Sequence, residues 1–128
     1  MKLSVIIVSY NVKYYLDQCI RSVLRAFEVM QGDDASSSSS SSGKKDVAEI
    51  IVVDNHSSDG SLEYLKRRYP REAYPMVRFV GCNHNLGFAR ANNIAIRQSE
   101  AEYVLLLNPD TIVGEQVLSE CIRFMDAH

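Results

Sequence analysis

Residues 105–111 read Leu105-Leu106-Leu107-Asn108-Pro109-Asp110-Thr111, an apolar run that leads straight into an amide and a carboxylate. An unbroken apolar run of this kind is typical of a buried strand in a parallel sheet. In open α/β sheets, ligands bind at the carboxyl ends of the strands, which is where Asp110 falls. A second run, Ile50-Ile51-Val52-Val53, ends in the same way at Asp54 and Asn55. We therefore predict that the two strand ends contribute to one site.

The rest of the chain alternates between strand and helix. Short β-branched runs predict the strands, and apolar residues at helical spacing predict the helices between them. The predicted strands are 2–9, 48–53, 77–82 and 103–107, and the predicted helices are 14–29, 62–69, a helix opening around 87–91, and 114–125. Such alternation predicts an α/β fold, with a mainly parallel sheet flanked by helices and joined by right-handed crossovers.

Composition limits the class of protein and its partners. A chain of 128 residues, 46% of them hydrophobic, is expected to form a single domain over residues 1–128. The net charge of -2 provides no basic excess for binding nucleic acid. The apolar runs are too short to span a membrane, and the first residues lack the features of a signal peptide. The cysteines are Cys19, Cys82 and Cys121, and we interpret them as buried, reduced thiols of a cytoplasmic protein.

One segment differs from the rest of the chain. Residues 32–45 contain seven consecutive serines, Ser36 to Ser42, preceded by Gly32 and followed by Gly43. Serines cannot bury enough apolar surface to offset the entropy that is lost when they become ordered. We therefore predict a flexible serine-rich loop over residues 32–45, on the first crossover.

The predicted site lacks both common phosphate-binding loops. Ser9-Tyr10-Asn11-Val12-Lys13 follows the first strand where a dinucleotide fold has Gly-x-Gly-x-x-Gly, and no P-loop motif occurs. The remaining aromatic, amide and carboxylate groups suit a nucleoside. Tyr10 is placed to stack on a base, and Asp54 or Asn55 to hydrogen-bond its edge or a ribose hydroxyl. Asp110 is suited to hold a divalent metal ion that neutralises a diphosphate.

Each of these residues also has a purely structural interpretation. Asp110 is also typical of a turn, or of a cap for the last helix, and Asp54 and Asp59 of a turn and N-cap before the second helix. Tyr10 is one of seven tyrosines and fits a packing role equally well. Arg90 suits either a phosphate contact or an exposed helix position.

Four motifs occur at the predicted strand ends. They are Val5-Ile6-Ile7-Val8-Ser9-Tyr10-Asn11, Val52-Val53-Asp54-Asn55-His56-Ser57-Ser58-Asp59-Gly60-Ser61, Asn85-Leu86-Gly87-Phe88-Ala89-Arg90-Ala91-Asn92-Asn93 and Leu107-Asn108-Pro109-Asp110-Thr111. Together, and in this order, they resemble the family 2 glycosyltransferases. The third and fourth motifs are most similar to the rhamnosyltransferase-like branch. The resemblance covers nearly the whole chain apart from the serine-rich loop.

This resemblance implies a Rossmann-like GT-A fold that binds a nucleotide-diphosphate sugar linked to UDP, dTDP or GDP. The implied reaction transfers the sugar, with inversion, to a hydroxyl of a glycan or lipid-linked acceptor. The implied pathway is polysaccharide or cell-surface glycan synthesis, in the cytoplasm or at a membrane surface. The alternative function is a non-catalytic module that binds a nucleotide or a nucleotide sugar.

The resemblance also assigns roles to residues. Asp110 stands in the metal motif of the family, Asp-x-Asp, and would hold Mg²⁺ or Mn²⁺. The chain departs from that motif at Asn108, whose amide is a weaker ligand than a carboxylate. The residues implied to bind the donor nucleotide are Val8, Ser9, Tyr10, Asp54, Asn55, Asn85, Gly87, Arg90, Asn92 and Asn108.

The catalytic base of the family lies well beyond the metal motif, so we expect it beyond His128. The resemblance therefore implies the N-terminal, donor-binding part of a GT-A domain truncated at its C-terminus. From the 128-residue chain alone we expect ligand binding with little or no sugar transfer. We also expect an exposed apolar edge strand, and self-association of the chain to cover it.

Overall fold

The computed structural model describes residues 1–35 and 48–128, with side chains described up to Met30 in the first stretch. Strands and helices alternate in the order β1 (Leu3–Ser9), α1 (Lys13–Ala35), β2 (Ala48–Asp54), α2 (Ser61–Arg68), β3 (Val77–Gly81), α3 (Phe88–Gln98), β4 (Tyr103–Leu107) and α4 (Val117–Ala127). The strands form one sheet in the order β3-β2-β1-β4, and all neighbouring pairs are parallel. The predicted α/β alternation and parallel sheet are confirmed, and each predicted strand bound is within one residue of the observed bound.

Strands β1 and β2 form the centre of the molecule and are buried at every residue. On one face of the sheet, Val5, Ile7, Ile50 and Val52 pack against α1, α2 and α4. On the other face, Ile6, Val8, Ile51 and Val53 pack against Ala91 and Ala95 of α3. Burial on both faces explains why these strands are continuous apolar runs without polar alternation.

The prediction that β4 is a buried strand is wrong for one of its faces. Val104 and Leu106 are 41% and 48% exposed, whereas Tyr103, Leu105 and Leu107 are half-buried against the larger core. The reason is that α3 packs over β1 and β2 and leaves the same face of β4 uncovered. An exposed apolar edge is therefore present, and self-association through it stays a prediction.

Two helices, α1 and α4, differ from the predicted bounds by more than one residue. Helix α1 continues to Ala35 and so takes up residues 32–35 of the segment predicted as a loop, because extending a formed helix adds a hydrogen bond with each residue. The remainder of that segment, 36–45, lies outside the described residues. Helix α4 begins at Val117, after a turn in which the Val117 amide bonds to the Gly114 carbonyl. Neither of the two described stretches contains a helix long and apolar enough to cross a membrane.

A buried carboxylate joins α1 to α2. Asp17 is 3% exposed, and its Oδ1 accepts a 2.5 Å hydrogen bond from the Tyr69 hydroxyl. Its Oδ2 lies 2.8 Å from Nε of Arg68. Burial, together with the hydrogen bond to Asp17, raises the pKa of Tyr69 above its usual value. Asp17 thus has both a neutral and a charged partner, as a buried charge requires.

We expect Asp17→Ala to lower the free energy of unfolding by about 2 kcal/mol, because it leaves the buried Tyr69 hydroxyl without its carboxylate partner. The double variant Asp17→Ala/Tyr69→Phe should lose less than the sum of the two single losses, since it removes both members of the bond. Urea unfolding of the four proteins measures this coupling. Strictly additive losses would show that the hydrogen bond contributes nothing.

Candidate functional site

Four loops that leave the carboxyl ends of the strands meet around one pocket of about 350 Å³. Its lining residues are Val8, Tyr10, Val12, Asn55, Asn85, Gly87, Phe88 and Pro109. Five of them, Val8, Tyr10, Asn55, Asn85 and Gly87, are residues that the sequence analysis assigns to the donor nucleotide. A larger groove of about 670 Å³ lies between β4 and α4, but its lining is mainly apolar and comes from outside these loops. The smaller pocket is therefore the candidate site.

The amide of Asn55 fixes one wall of this pocket. Its Nδ2 donates to Oδ1 of Asn85 at 2.9 Å, and its Oδ1 accepts from the backbone N–H of Leu86 at 2.8 Å. Asn85 Oδ1 also accepts from the backbone N–H of Gly87 at 2.9 Å. An amide can make this bridge because it carries both donors and an acceptor. The end of β2 is thereby tied to the loop that begins α3.

Gly87 has a backbone that other residues rarely adopt. Its φ of 85° and ψ of 161° fall in a region that is essentially restricted to glycine. A Cβ at this position would meet no atom within 4 Å, so the side of Gly87 on which a side chain would stand is open space. The glycine therefore serves both the turn into α3 and the access to the pocket.

The β1–α1 and β2–α2 loops are tied together by a contact that the sequence analysis missed. Asn11 has a φ of 53°, and its backbone N–H donates to Ser57 Oγ at 2.9 Å. Its side-chain Oδ1 accepts from the backbone N–H of Ser58 at 2.7 Å. Lys13 adds two bonds to Asp59, from its backbone N–H at 3.3 Å and from Nζ to the Asp59 carbonyl at 3.0 Å. An asparagine directly after a strand is the signal that would have indicated this left-handed turn.

Asp59 has the structural role that its position in a turn predicts. Its Oδ1 accepts from the backbone N–H and the hydroxyl of Ser61, the first residue of α2. Burial tends to raise the pKa of Asp59, but the hydrogen bonds from Ser61 and Lys13 outweigh it, and the pKa is lowered. Asp59 is thus held as an anion at the start of α2, outside the pocket lining.

Two buried polar atoms at the ends of β1 and β2 have no partner within the part of the chain that the structure describes. They are Ser9 Oγ and Asp54 Oδ1, on residues that face each other across the ladder. The second oxygen of Asp54 accepts from the Ser57 N–H at 3.1 Å. Because buried polar groups nearly always find partners, an unpaired pair of atoms at a strand end calls for a water molecule or a ligand.

The remaining predicted residues lie outside the pocket lining. Arg90 is exposed in the first turn of α3, and Asn92 is buried with its Nδ2 donating to the Phe88 carbonyl at 3.1 Å within that helix. Asn108 and Asp110 are exposed and flank Pro109, which does line the pocket. Strand β1 lies between β2 and β4, so the carboxyl ends of β2 and β4 are about 10 Å apart, and Asp110 follows beyond Leu107, where β4 ends.

Asp110 occupies a turn, with the Thr111 N–H bonded to the Asn108 carbonyl at 3.1 Å. The alternative that it caps the last helix is wrong, because α4 begins only at Val117. Within the described stretches, no group of three or more His, Cys, Asp or Glu residues could hold a metal ion. The donor set of one carboxylate and one amide does fit a hard cation that takes most of its oxygen ligands from phosphates.

The cysteines are free, but the expectation that all three are buried is wrong. Cys19 is buried, Cys82 is intermediate and Cys121 is exposed. Cys121 is exposed because it lines the open groove between α4 and β4. Burial, and secondly the charge of Asp110, raise the pKa of the Cys19 thiol to about 12. Burial and then the charge of Asp54 raise the pKa of Cys82. Neither Cys19 nor Cys82 has the low pKa of an activated nucleophile.

Comparison with known proteins identifies what this chain is similar to. The family model described as Glycosyl transferase family 2 matches residues 4–128. The poly(ribitol-phosphate) beta-N-acetylglucosaminyltransferase TarS of Staphylococcus aureus (strain Mu50) is 26% identical over 128 residues, which is 100% of this chain and 19% of TarS. The minor teichoic acid biosynthesis protein GgaB of Bacillus subtilis (strain 168) is 28% identical over 98% of this chain and 12% of its own length. The chain thus spans less than a fifth of either relative.

Solved structures agree with the fold. The crystal structure of S. aureus TarS 1-349 in complex with UDP-GlcNAc matches with a TM-score of 0.75 at 25% identity, over 100% of this chain and 32% of that one. The mannosyltransferase PcManGT from Pyrobaculum calidifontis, in complex with GDP-Man and Mn²⁺, matches with a TM-score of 0.75 at 20% identity, over 97% of this chain and 32% of that one. The predicted GT-A fold is confirmed.

We expect Asn55→Ala to release the loop that begins α3, because it removes both bonds to Asn85 and Leu86 and leaves the Leu86 N–H unpaired. Hydrogen exchange at the amides of Leu86 and Gly87 should quicken by about tenfold or more, the equivalent of losing about 1–3 kcal/mol of local stability. Asn93→Ala, at an exposed position of α3, is the matched control and should leave these rates unchanged. Equal rates in the two variants would contradict the proposed bridge.

Proposed function

Because the chain belongs to glycosyl transferase family 2, we propose that it binds a nucleotide-diphosphate sugar in the pocket at the carboxyl edge of its sheet. In the longer protein of which the match suggests it is a part, this site would supply the sugar donor for transfer to an acceptor hydroxyl. The observation that carries the proposal is the convergence of Val8, Tyr10, Asn55, Asn85 and Gly87 on one pocket.

The chemistry of this pocket suits the nucleoside part of such a ligand. Tyr10 is 50% exposed at its mouth, so one face of the ring is available to stack on a base. The amides of Asn55 and Asn85 and the open backbone at Gly87 supply neutral polar groups that do not repel a diphosphate. Asp54 Oδ1 and Ser9 Oγ, which are buried without a partner behind the pocket lining, are the atoms that we assign to a donor group of the base or ribose once the lining opens.

We assign the diphosphate to the turn at Asn108 and Asp110. A divalent ion held by the Asp110 carboxylate and the Asn108 amide would neutralise the charge that develops on the departing nucleotide. Arg90, exposed at the start of α3, is close in sequence to Gly87 and suits a phosphate contact. The residues of the chain would thus orient the donor, and the ion would stabilise the leaving group.

The relatives support a more specific reaction. TarS is named as a beta-N-acetylglucosaminyltransferase and has a structure with UDP-GlcNAc, a donor in which the sugar is α-linked. A β product from an α donor requires inversion at the anomeric carbon. We propose the same stereochemistry here, with a glycan or a polyol-phosphate polymer as acceptor, in the synthesis of a cell-surface polysaccharide.

A second candidate function is a binding module without transfer activity. General-base catalysis requires a carboxylate or histidine within reach of the attacking hydroxyl. Among the described residues that line the pocket there is no carboxylate or histidine, and His56 and His84 are exposed in the adjoining loops. For the 128-residue chain by itself we therefore propose donor binding with little or no transfer.

We expect UDP-GlcNAc to raise the melting temperature of the chain, since a ligand at 100 times its Kd stabilises the folded state by about 2.7 kcal/mol. UDP-, dTDP- and GDP-sugars tested in parallel identify the base. Asp54→Asn should weaken binding by about tenfold by replacing a charged acceptor. Glu72→Gln, at an exposed position away from the pocket, is the matched control. If no nucleotide sugar shifts the transition, the proposed function is wrong.

We expect Mn²⁺ or Mg²⁺ to increase the rise in melting temperature that a nucleotide sugar causes. Asp110→Ala should abolish this increase but keep the rise that the nucleotide sugar causes in EDTA. Removal of the one full charge at the turn eliminates the best ligand for a hard cation. Glu115→Gln, an exposed carboxylate in the following loop, serves as the control. If the metal ion increases the melting temperature of Asp110→Ala with nucleotide sugar as much as that of the unchanged chain, another group holds the ion.

A further inference from the structure

A second groove lies along the outer side of β3, the edge strand at the far side of the sheet from β4. Its volume is about 560 Å³, and it is lined by residues 77–80 of β3 together with Lys66, Tyr69, Arg71 and Gln98. It shares no residue with the lining of the nucleotide pocket. The groove thus exposes a strand edge between the C-terminal ends of α2 and α3.

The backbone of β3 has one set of hydrogen-bonding groups directed into this groove. The Met76 carbonyl accepts from Ile50, and the Cys82 N–H donates to the Asp54 carbonyl, so the even-numbered residues of this strand pair with β2. In a parallel ladder the alternate residues point their N–H and C=O groups to the opposite side. The backbone groups of Phe79 and Gly81 therefore face outward, where an added strand would find them.

The charge around this edge has one sign. Lys66 and Arg71 are exposed, and within residues 1–35 and 48–128 neither forms an ion pair. Arg78 lies 3.1 Å from Glu49, which offsets its charge, although its Nε–H does not point at an acceptor. No aspartate or glutamate of the described residues lines the groove. Two uncompensated cations thus flank an open strand edge.

We propose that this groove, on the outer edge of β3, binds an extended acidic peptide segment of a partner protein, which adds as a further strand. The peptide backbone pairs with Phe79 and Gly81, its carboxylates lie near Lys66 and Arg71 on the α2 side of the sheet, and its apolar side chains contact Val80 on the α3 side. Main-chain pairing supplies affinity, and the two cations select for acidic side chains.

Two observations favour this occupant over others. A second copy of the same edge would bring Lys66 and Arg71 near their own counterparts, and like charges oppose that pairing. A phosphate polymer would engage the cations but leave the outward N–H and C=O groups of β3 unused. An acidic peptide pairs with both the two cations and the outward N–H and C=O groups of β3, so it matches more of the groove than either alternative.

The test is fluorescence anisotropy with a labelled peptide of about eight residues, alternating Glu and Val, long enough to cover a typical strand. Lys66→Glu/Arg71→Glu should weaken its binding by about tenfold or more, as expected for reversal of two exposed charges at an interface. Arg67→Glu/Arg123→Glu is the matched control, because it makes the same charge change by reversing two exposed cations outside the groove lining. Equal losses in both variants would overturn the groove as the site.

A second pair of probes separates strand addition from charge attraction. The same peptide with N-methylated amides keeps its carboxylates but cannot donate to β3, so it should bind about tenfold less tightly. If it binds as well as the parent, or if inorganic polyphosphate competes at equal charge concentration, the occupant is a general polyanion and the proposal is wrong. Retained UDP-GlcNAc binding in Lys66→Glu/Arg71→Glu shows that the variant folds and keeps the nucleotide site separate.

Discussion

The parallel pairing of β1 with β2 is the constraint on which the rest of the structure depends. The register places Ser9 opposite Asp54, so both strands end at the same edge and their loops start side by side. Because the two faces of these strands pack against different cores, a shift of one residue would exchange the side chains that each core receives. The register that is fixed by hydrophobic packing is therefore the same one that positions the pocket.

Amide side chains convert this shared edge into a defined cavity. Asn11 holds the β2–α2 loop against the β1–α1 loop, and Asn55 holds the β3–α3 loop against the end of β2. Each amide accepts a backbone N–H that a loop would otherwise leave unpaired. Asn11 also tolerates a left-handed backbone, as Gly87 does, so the loops turn sharply where a larger side chain would be strained. The pocket walls are thus fixed by short polar residues and not by a hydrophobic core.

The sequence predicts the features that follow from local pattern. The order of strands and helices and the parallel sheet could be inferred because apolar periodicity carries that information, whereas the expected residues of the pocket lining follow mainly from the resemblance to the family. The exposed face of β4, the exposed thiol of Cys121 and the bridge through Asn11 could not, since each depends on which elements pack together in space. Helix α3 covers two strands of the sheet and not three, and no local pattern predicts that choice.

The charge distribution explains how a neutral pocket can suit an anionic ligand. The lining residues of the pocket carry no formal charge, and Asp54 presents its buried oxygen at a strand end behind them. A diphosphate placed near Asp110 would be repelled by that carboxylate unless a cation lay between them. The metal ion and the nucleotide diphosphate are therefore expected to bind cooperatively, each supplying the charge that the other needs. Such coupling would make the affinity of Asp110 for the ion weak in the free protein and strong in the complex.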